Sequence, residues 1–360
     1  MGLKRRIVSC LVAGVSAALT LALPAQAAAP KVTVAFSSST FLTNDFAVHG
    51  RHLAILGCTT VYEVLADGQT EGLPYPGCSG HVESDGGIAY SRDGAAVATT
   101  LTVHYMTPPR EVGTSVNVTR AGERVAVADV SATEYATNPD GRARYGTRSA
   151  DSCVTKALGG DADYTGRLDS ALPAVAAGPE GSWYVADRDG NTIYRLNRAG
   201  KLSVLAVLPP VNRRVSSELA ASQNWPSCVV GAKVAFEAAP SELEVAANGI
   251  VYVAGRPSLR SGATADHSNI YAINPTTKRV TTLAQHYPGR VDLAVGTRGR
   301  LFVARPDANR IMVIRHGRSA IHLKLPRVQA IESDSRGQLY AVRSAGTASP
   351  TENPTVVRIS

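Results

Sequence analysis

The segment Asp292-Leu293-Ala294-Val295, with a turn at Gly299 and an aromatic residue at Phe302, carries the pattern that decides the fold. An apolar strand leads into a glycine turn, and a second strand with a core residue follows at once. The same pattern recurs four more times, with turns at Gly94, Gly181, Gly249 and Gly337. Such recurrence is typical of proteins built from repeated supersecondary units.

The five copies keep one register when they are aligned on the turn glycine. The sixth residue before the glycine is always of a core type: Ile88, Val175, Leu243, Leu293 and Ile331. The third residue after it is Val97, Tyr184, Tyr252, Phe302 or Tyr340. A weaker sixth copy spans residues 46–50. Each copy continues into two further β-type runs, which predicts units of four antiparallel strands.

Radial repetition of four-stranded units predicts an all-β fold, a six-bladed β-propeller. The last unit is one strand short, because the chain ends after the run at residues 355–359. Residues 31–36 form a β-type run with no unit of its own. We expect this N-terminal strand to complete the last blade, since closure of the ring covers an exposed sheet edge.

The N-terminus has the parts of a secretory signal peptide. Basic residues 4–6 precede an apolar run over residues 7–23, and Ala25 and Ala27 place small residues before a cleavage point. We expect cleavage after Ala27, which leaves residues 28–360 as a single propeller domain. The rival interpretation is one membrane anchor, but a run of about 17 apolar residues is at the lower limit for a span. We therefore expect a secreted, extracellular protein with no stable membrane span.

The charge pattern bears on partners. The net charge is +8, three of these charges belong to the signal segment, and the remaining bases are scattered. Without a run of like charges, nucleic acid is not an expected partner. We expect a monomer whose ligand is a small molecule, a glycan or another protein.

Four cysteines remain after signal cleavage, an even number that predicts two disulfides in an exported protein. Four cysteines allow three pairings, and only the blade map selects among them. It places Cys58 and Cys78 in the first blade and Cys153 and Cys228 in two long insertions, at about 131–172 and 207–240. We predict Cys58–Cys78 and Cys153–Cys228, both on the face that carries the long loops.

Four stretches resemble the ScyD/ScyE family of exported bacterial proteins. They are Asp151-Ser152-Cys153-Val154-Thr155-Lys156-Ala157-Leu158-Gly159-Gly160, Gly181-Ser182-Trp183-Tyr184-Val185-Ala186-Asp187, Ala206-Val207-Leu208-Pro209-Pro210, and Cys228-Val229-Val230-Gly231 followed by Phe236-Glu237 and Pro240. The resemblance covers most of residues 85–345 and implies a six-bladed propeller like those built from NHL repeats. It supplies no catalytic residues.

Acidic residues recur on the innermost strands, at positions five and seven before the turn glycine. They are Glu242, Glu244, Asp292 and Glu332. Because these strands surround the axis, the carboxylates can converge there, and their oxygens suit Ca²⁺ or Mg²⁺. Six-bladed calcium lactonases build such a site, although carboxylates near strand ends also commonly bind loop backbone. We predict no cofactor, and Ca²⁺ or Mg²⁺ belongs only to the hydrolase alternative.

The long-loop face offers the other candidate site, with Trp225, Arg256, Arg260 and His267 as contact residues. Trp183 is predicted to pack in the core. Asp187 is predicted to hold the turn between the second and third strands of its blade. The motifs of serine hydrolases, zinc proteases, P-loop proteins and Rossmann proteins are absent from the sequence. We therefore favour a non-enzymatic binding or scaffold module acting through this face. A metal-dependent, lactonase-like extracellular hydrolase is the alternative.

Overall fold

Seven four-stranded sheets make up most of the structure. The structure is a computed structural model, and it describes residues 30–37, 45–50, 52–56, 60–64, 70–74, 86–104, 112–315, 317–344 and 354–360. Residues Lys31–Ser360 belong to one compact unit. The strands are, in chain order, β1 Val32–Ser37, β2 Phe46–His49, β3 His52–Leu56, β4 Thr60–Val64, β5 Thr70–Pro74, β6 Ile88–Tyr90, β7 Ala96–His104, β8 Val112–Arg120, β9 Glu123–Asp129, β10 Arg144–Gly146, β11 Asp163–Thr165, β12 Ala174–Ala177, β13 Trp183–Asp187, β14 Thr192–Leu196, β15 Leu202–Val207, β16 Val211–Arg214, β17 Lys233–Phe236, β18 Pro240–Val245, β19 Val251–Gly255, β20 His267–Ile273, β21 Val280–Pro288, β22 Asp292–Gly296, β23 Arg300–Arg305, β24 Arg310–Arg315, β25 Arg318–Lys324, β26 Val328–Ser333, β27 Leu339–Arg343 and β28 Thr355–Ile359.

Six of these sheets are antiparallel meanders, which we number along the chain. Sheet 1 is β2–β5, sheet 2 is β6–β9, sheet 3 is β12–β15, sheet 4 is β18–β21, sheet 5 is β22–β25, and sheet 6 is β26–β28 with β1. The first strand of each sheet contacts the first strand of the next, and β26 of sheet 6 contacts β2 of sheet 1. A closed ring of sheets that meet at their first strands is a β-propeller.

The N-terminal strand completes the last sheet, as the sequence predicted. Strand β1 pairs antiparallel with β28, from Val32 opposite Ile359 to Ser37 opposite Thr355. Backbone hydrogen bonds of 2.7 and 2.9 Å join Lys31 to Ser360 beyond the ladder. The two ends of the ring are therefore held together by β-sheet pairing.

Apolar contacts between neighbouring sheets form the core. The predicted core residue six positions before each turn glycine is buried in all five copies: Ile88, Val175, Leu243, Leu293 and Ile331. Trp183 is also buried and packs between sheets 2 and 3, as predicted. Each such side chain contributes roughly 1.5–3 kcal/mol by leaving water.

The two long insertions contain regular structure, whereas the sequence predicted loops there. Strands β10 and β11 from the first insertion pair with β16 and β17 from the second, in the order β11-β10-β17-β16. Three helices accompany this seventh sheet: α1 Val130–Thr137, α2 Ser152–Leu158 and α3 Ser217–Ser222. Single turns of 3-10 helix span Gly159–Asp161, Pro179–Gly181, Ser227–Val229, Thr297–Gly299 and Pro306–Ala308. The helices were missed because each has at most eight residues, too few to show a helical period.

One predicted disulfide joins the two insertions. Cys153 and Cys228 are bonded, with their Cα atoms 6.3 Å apart and 75 residues between them in the chain. Asp151 begins α2 beside this bond, because its carboxylate accepts hydrogen bonds from the backbone N–H groups of Cys153 and Val154. Cys58 and Cys78, the other predicted pair, lie outside the described residues, as does the predicted cleavage site at Ala27. Within the described residues, none of the helices has the length and apolar content that a membrane crossing requires.

Candidate functional site

Five acidic side chains meet at the centre of the ring. Glu242 and Glu244 project from β18, and their spacing of two residues places both on the same face of the strand. Asp292 begins β22, and Glu332 lies near the end of β26. The charges of these four residues act on one another's pKa values, so the structure brings all four predicted carboxylates together.

The fifth carboxylate, Asp45, was not predicted. It makes the same kind of hydrogen bonds as Asp292, and one sheet, sheet 6, lies between their two sheets in the ring. Asp292 accepts from the N–H groups of Leu293 (2.9 Å) and Ile331 (2.7 Å), and the second bond reaches the inner strand of the next sheet. Asp45 accepts from Phe46 and Ile88, both at 2.8 Å, in the same way.

A short hairpin explains why Asp45 was missed. In sheet 1, His49 pairs with His52, so the turn between β2 and β3 has two residues. In sheet 5, Gly296 pairs with Arg300, so the corresponding turn has three. Alignment on the turn glycine therefore places Asp45 out of register with Asp292. A search for an acidic residue directly before the first core residue of each inner strand would have found it.

The carboxylates form two layers along the axis. Glu242 and Asp292 stand opposite Ala254 and Ala304 on the second strands of their sheets, and they form the lower layer with Asp45. Glu244 and Glu332 form the upper layer, opposite Tyr252 and Tyr340. Four inner strands carry alanine at the positions equivalent to Glu244: Ala47, Ala89, Ala176 and Ala294. These small side chains leave the axis open around the acidic groups.

The acidic side chains pair with one another by sharing protons. Glu242 donates a hydrogen bond to Asp292, and Glu332 donates one to Glu244. Enclosure by protein, followed by the charge of Asp292, raises the pKa of Glu244 from 4.5 to about 8. The same two causes raise the pKa of Asp45 to about 8. Enclosure and the neighbouring carboxylates also hold the pKa values of Glu242 and Glu332 well above their usual range.

A cavity of about 490 Å³ opens above the upper layer, with Glu244 and Glu332 among its lining residues. Most of its walls are small or apolar side chains, including Ala89, Ala176 and Val295. Its rim is formed by the turns between first and second strands. Arg92 of sheet 2 spans part of this rim, since its guanidinium donates to the Ala246 carbonyl of sheet 4 at 3.0 Å.

The cavity lies on the face opposite the long loops. In a four-stranded meander the turns between first and second strands are on one face, whereas the insertions and the Cys153–Cys228 bond are on the other. The central carboxylates therefore open toward the short glycine turns. The length of the loops gave no indication of this position.

The contacts of the carboxylates bear on the predicted metal site. Among the residues that the structure describes, no group of three or more His, Cys, Asp or Glu side chains is placed to hold a metal ion. The oxygens of Glu242, Asp292, Glu244 and Glu332 are instead engaged in two acid–carboxylate pairs and in backbone hydrogen bonds. A Ca²⁺ or Mg²⁺ site here would require these pairs to separate.

The predicted contact residues of the long-loop face have intramolecular partners. Trp225 is half-buried against the core of the insertion sheet. Arg256 donates to the Ala265 carbonyl at 3.2 Å. Arg260 lies over the Tyr164 ring, 5.4 Å from its centroid. His267 pairs with the neighbouring Asp266.

Asp187 has the structural role that the sequence predicted. It is fully buried, and its carboxylate accepts from the N–H groups of Ala171 (3.0 Å) and Gly190 (3.1 Å) and from the Ser170 hydroxyl (2.7 Å). These bonds hold the turn between β13 and β14 and attach the end of the first insertion to it.

Fold and site together define a β-propeller protein with an acidic central channel. No family model matches the sequence, and no curated protein sequence matches it. Solved structures do match. The PQQ-bound aldose sugar dehydrogenase of Streptomyces coelicolor has a TM-score of 0.51 and 14% identity, covering 94% of this chain and 100% of that chain. Virginiamycin B lyase of Staphylococcus aureus has a TM-score of 0.47 and 12% identity, covering 92% and 99%. A gluconolactonase of Xanthomonas campestris has a TM-score of 0.47 and 12% identity, covering 92% and 89%. At 14% identity the first of these matches supports the fold alone.

Proposed function

We propose that the chain is an exported, six-bladed β-propeller that binds a small, uncharged, oxygen-rich molecule, such as a sugar, polyol or lactone, in its central cavity. The observation that carries the proposal is geometric: the neighbouring carboxyl groups of Glu244 and Glu332 line an open cavity of about 490 Å³. Export follows from the signal peptide with cleavage after Ala27, and the Cys153–Cys228 bond is in keeping with an oxidising compartment. Membership of the ScyD/ScyE family is part of the same proposal.

The protonation of the pair favours an uncharged ligand. The pKa of Glu244 is about 8 and that of Glu332 is held well above its usual range, so Glu244 is mostly protonated at pH 7. A neutral carboxyl group both donates and accepts hydrogen bonds, which matches a hydroxyl or carbonyl group on the ligand. The alanine and valine walls suit the carbon framework of such a molecule, since small-molecule sites combine apolar walls with a few polar groups.

The second candidate is a hydrolase that uses the same pair. When Glu244 ionises, as the pH approaches 8, the pair becomes an acid and a carboxylate that share one proton, and such a pair is poised for general acid–base catalysis. For a lactone, Glu244 would take a proton from water as the water oxygen bonds to the carbonyl carbon. Glu332 would then give its proton to the ring oxygen as the C–O bond breaks. This candidate needs no metal. Binding at the long-loop face through Trp225 and its neighbours remains a separate prediction.

Binding is tested by saturation-transfer NMR with D-glucose and D-glucono-1,5-lactone as probes. We expect transfer to at least one probe in the native protein and its loss in Ala247→Trp. Ala247 is an exposed rim residue, so the variant should block the cavity without disturbing the core. Lys201→Trp, at an exposed turn that does not line the cavity, is the matched control. Transfer that persists in Ala247→Trp, or that neither probe shows, would contradict the proposal.

Catalysis is tested by following acid release from D-glucono-1,5-lactone in a pH-stat. The hydrolase candidate predicts that Glu332→Gln lowers the enzymatic rate at least 100-fold while probe binding survives. A native rate equal to the spontaneous rate would leave binding as the function of the cavity.

A further inference from the structure

A second acidic cluster lies away from the channel, where α1 ends against sheet 3. Glu134 is in the last turns of α1, Asn138 caps the helix, and Asp140 follows. Glu134 is fully buried and Asp140 is 1% exposed. Glu134 Oε2 accepts from the Tyr194 hydroxyl at 2.8 Å, and Asp140 Oδ2 accepts from the Asn191 amide at 2.9 Å. Both carboxylates therefore reach the start of β14.

Each of these three side chains has one oxygen without a hydrogen bond. Glu134 Oε1, Asn138 Oδ1 and Asp140 Oδ1 are buried and unpartnered within the described part of the chain. The amide nitrogen of Asn138 donates to the Gly166 carbonyl at 3.3 Å. A Cβ atom on Gly166 would lie only 1.9 Å from Asp140 Oδ1. Asn138 and Asp140 thus pack against the same glycine, which must lack a side chain for the carboxylate to fit.

The cluster is negative. The charge of Arg167 acts on Asp140, but the ion pair of Arg167 is with Asp169. The buried carboxylate of Asp187 is close to Glu134, since a Cβ on Gly190 would lie 3.1 Å from Asp187 Oδ2 and 3.0 Å from Glu134 Oε2. No Lys or Arg among the described residues forms an ion pair with any of the three carboxylates. Buried charges without partners are strongly unfavourable, so the cluster needs protons or a cation.

Geometry favours a cation over protons. Burial, followed by the charge of Asp187, raises the pKa of Glu134 to about 8, and burial raises the pKa of Asp140. Protons on Glu134 Oε2 and Asp140 Oδ2 would face the hydroxyl groups of Tyr194 and Tyr145, but they would still leave Glu134 Oε1 and Asp140 Oδ1 without a partner. A cation within reach of these two oxygens and of the Asn138 amide oxygen would give all three a partner.

We propose that Glu134, Asn138 and Asp140 bind a hard divalent cation, Ca²⁺, which fastens α1 to sheet 3. Carboxylate and amide oxygens are the donors that Ca²⁺ prefers, in flexible geometries that Mg²⁺ accepts less readily. Only two of the three ligands are carboxylates, in keeping with the finding that no three described acidic or histidine side chains form a metal site. The site is separate from the central cavity and does not depend on the function proposed for it.

Terbium luminescence tests the site on the full mature protein after chelator treatment. Tb³⁺ substitutes for Ca²⁺, and Tyr194 is close enough to Glu134 to transfer excitation energy to it. We expect saturable emission under tyrosine excitation, competed by CaCl₂ and at least tenfold less by MgCl₂. Glu134→Gln and Asp140→Asn should each weaken Ca²⁺ competition at least tenfold. Two variants are used, so that the test does not depend on the folding of either one.

Two control variants show whether the terbium luminescence comes from the proposed site. Glu123→Gln changes an exposed acid at the start of β9, and Glu242→Gln changes the central channel. Both should bind Tb³⁺ and Ca²⁺ as the native protein does. Emission that Ca²⁺ fails to displace, or that is lost in Glu242→Gln but kept in Glu134→Gln, would overturn the proposal. So would a Glu134→Gln variant that melts at a higher temperature while Ca²⁺ leaves the melting temperature of the native protein unchanged, because the cluster would then hold protons.

Discussion

Replacement of Glu244 by Gln should stabilise the protein at alkaline pH and leave it nearly unchanged at acidic pH. Glu244 is enclosed at the axis beside Asp292 and Glu332, and its pKa is raised from 4.5 to about 8. An acid whose pKa is higher in the folded state contributes stability that is fully present below pH 4.5. That stability is lost as the pH rises through 8. Gln keeps the shape of the protonated acid but cannot ionise.

The size of the effect follows from the pKa. At about 1.4 kcal/mol for each pKa unit, a rise from 4.5 to about 8 corresponds to about 5 kcal/mol between the two pH limits. Because Glu332 shares the same repulsion, we assign roughly half, about 2–3 kcal/mol, to Glu244 alone. The free energy of unfolding in urea, measured at pH 5.0 and pH 8.5, should differ between Glu244→Gln and the native protein by this amount at pH 8.5. At pH 5.0, only half a pH unit above the ordinary pKa of the group, the difference should be about 1 kcal/mol or less.

Glu123→Gln, an exposed substitution on β9, is the control and should change stability equally little at both pH values. A Glu244→Gln variant with no gain at pH 8.5 would show that the carboxylates are not enclosed together. The same gain at both pH values would show that packing, and not ionisation, accounts for the effect.

Two further predictions concern the scaffold. The Cys153–Cys228 bond closes a loop of 75 residues, so its loss in a Cys153→Ser/Cys228→Ser variant should lower the free energy of unfolding by about 4 kcal/mol; an equal stability of oxidised and variant protein in urea would refute this. A Cβ atom at Gly87 would lie 2.5 Å from Ala174 Cα on the next inner strand. Gly87→Ala should therefore force sheets 2 and 3 apart and lower stability by about 1–3 kcal/mol, or more if the strands cannot move; an unchanged urea midpoint would show that the ring gives way easily at this contact.

Part of the central site could be predicted from the sequence, because side chains alternate between the two faces of a β-strand. Glu242 and Glu244 are two residues apart, so any sheet places them on one face, and alignment with Asp292 and Glu332 predicted that the four would converge. Asp45 could not be predicted in the same way, because the hairpin of sheet 1 is one residue shorter and its glycine comes first in the turn. Asp45 therefore lies five residues before Gly50, whereas Asp292 lies seven before Gly299. The sequence also could not predict which carboxyl groups pair, because pairing depends on the distances between different strands.

The sheet formed by the two insertions, in contrast, could not be predicted from the sequence. Residues 131–172 and 207–240 have no alternating pattern strong enough to predict strands, yet they form a sheet together. Strands β10 and β17 meet through the pairing of Gly146 with Ala235, a contact between segments that are far apart in the chain. Only the ring, which brings the two ends of sheet 3 to the same face, makes that pairing available.

The sequence by itself determined the repeat, because the repeat depends on local spacing along the chain. The count of strands in that repeat then predicted the closure of the last sheet by residues 31–36 and the Cys153–Cys228 bond. Tertiary structure alone decided that Asp45 joins the central carboxylates, that the cavity opens on the short-turn face, and that Glu134 and Asp140 are buried with unpartnered oxygens. These features arise where separate strands meet around an axis or against a helix. The distances that set hydrogen bonds, pKa values and open space there have no counterpart in the linear order of residues.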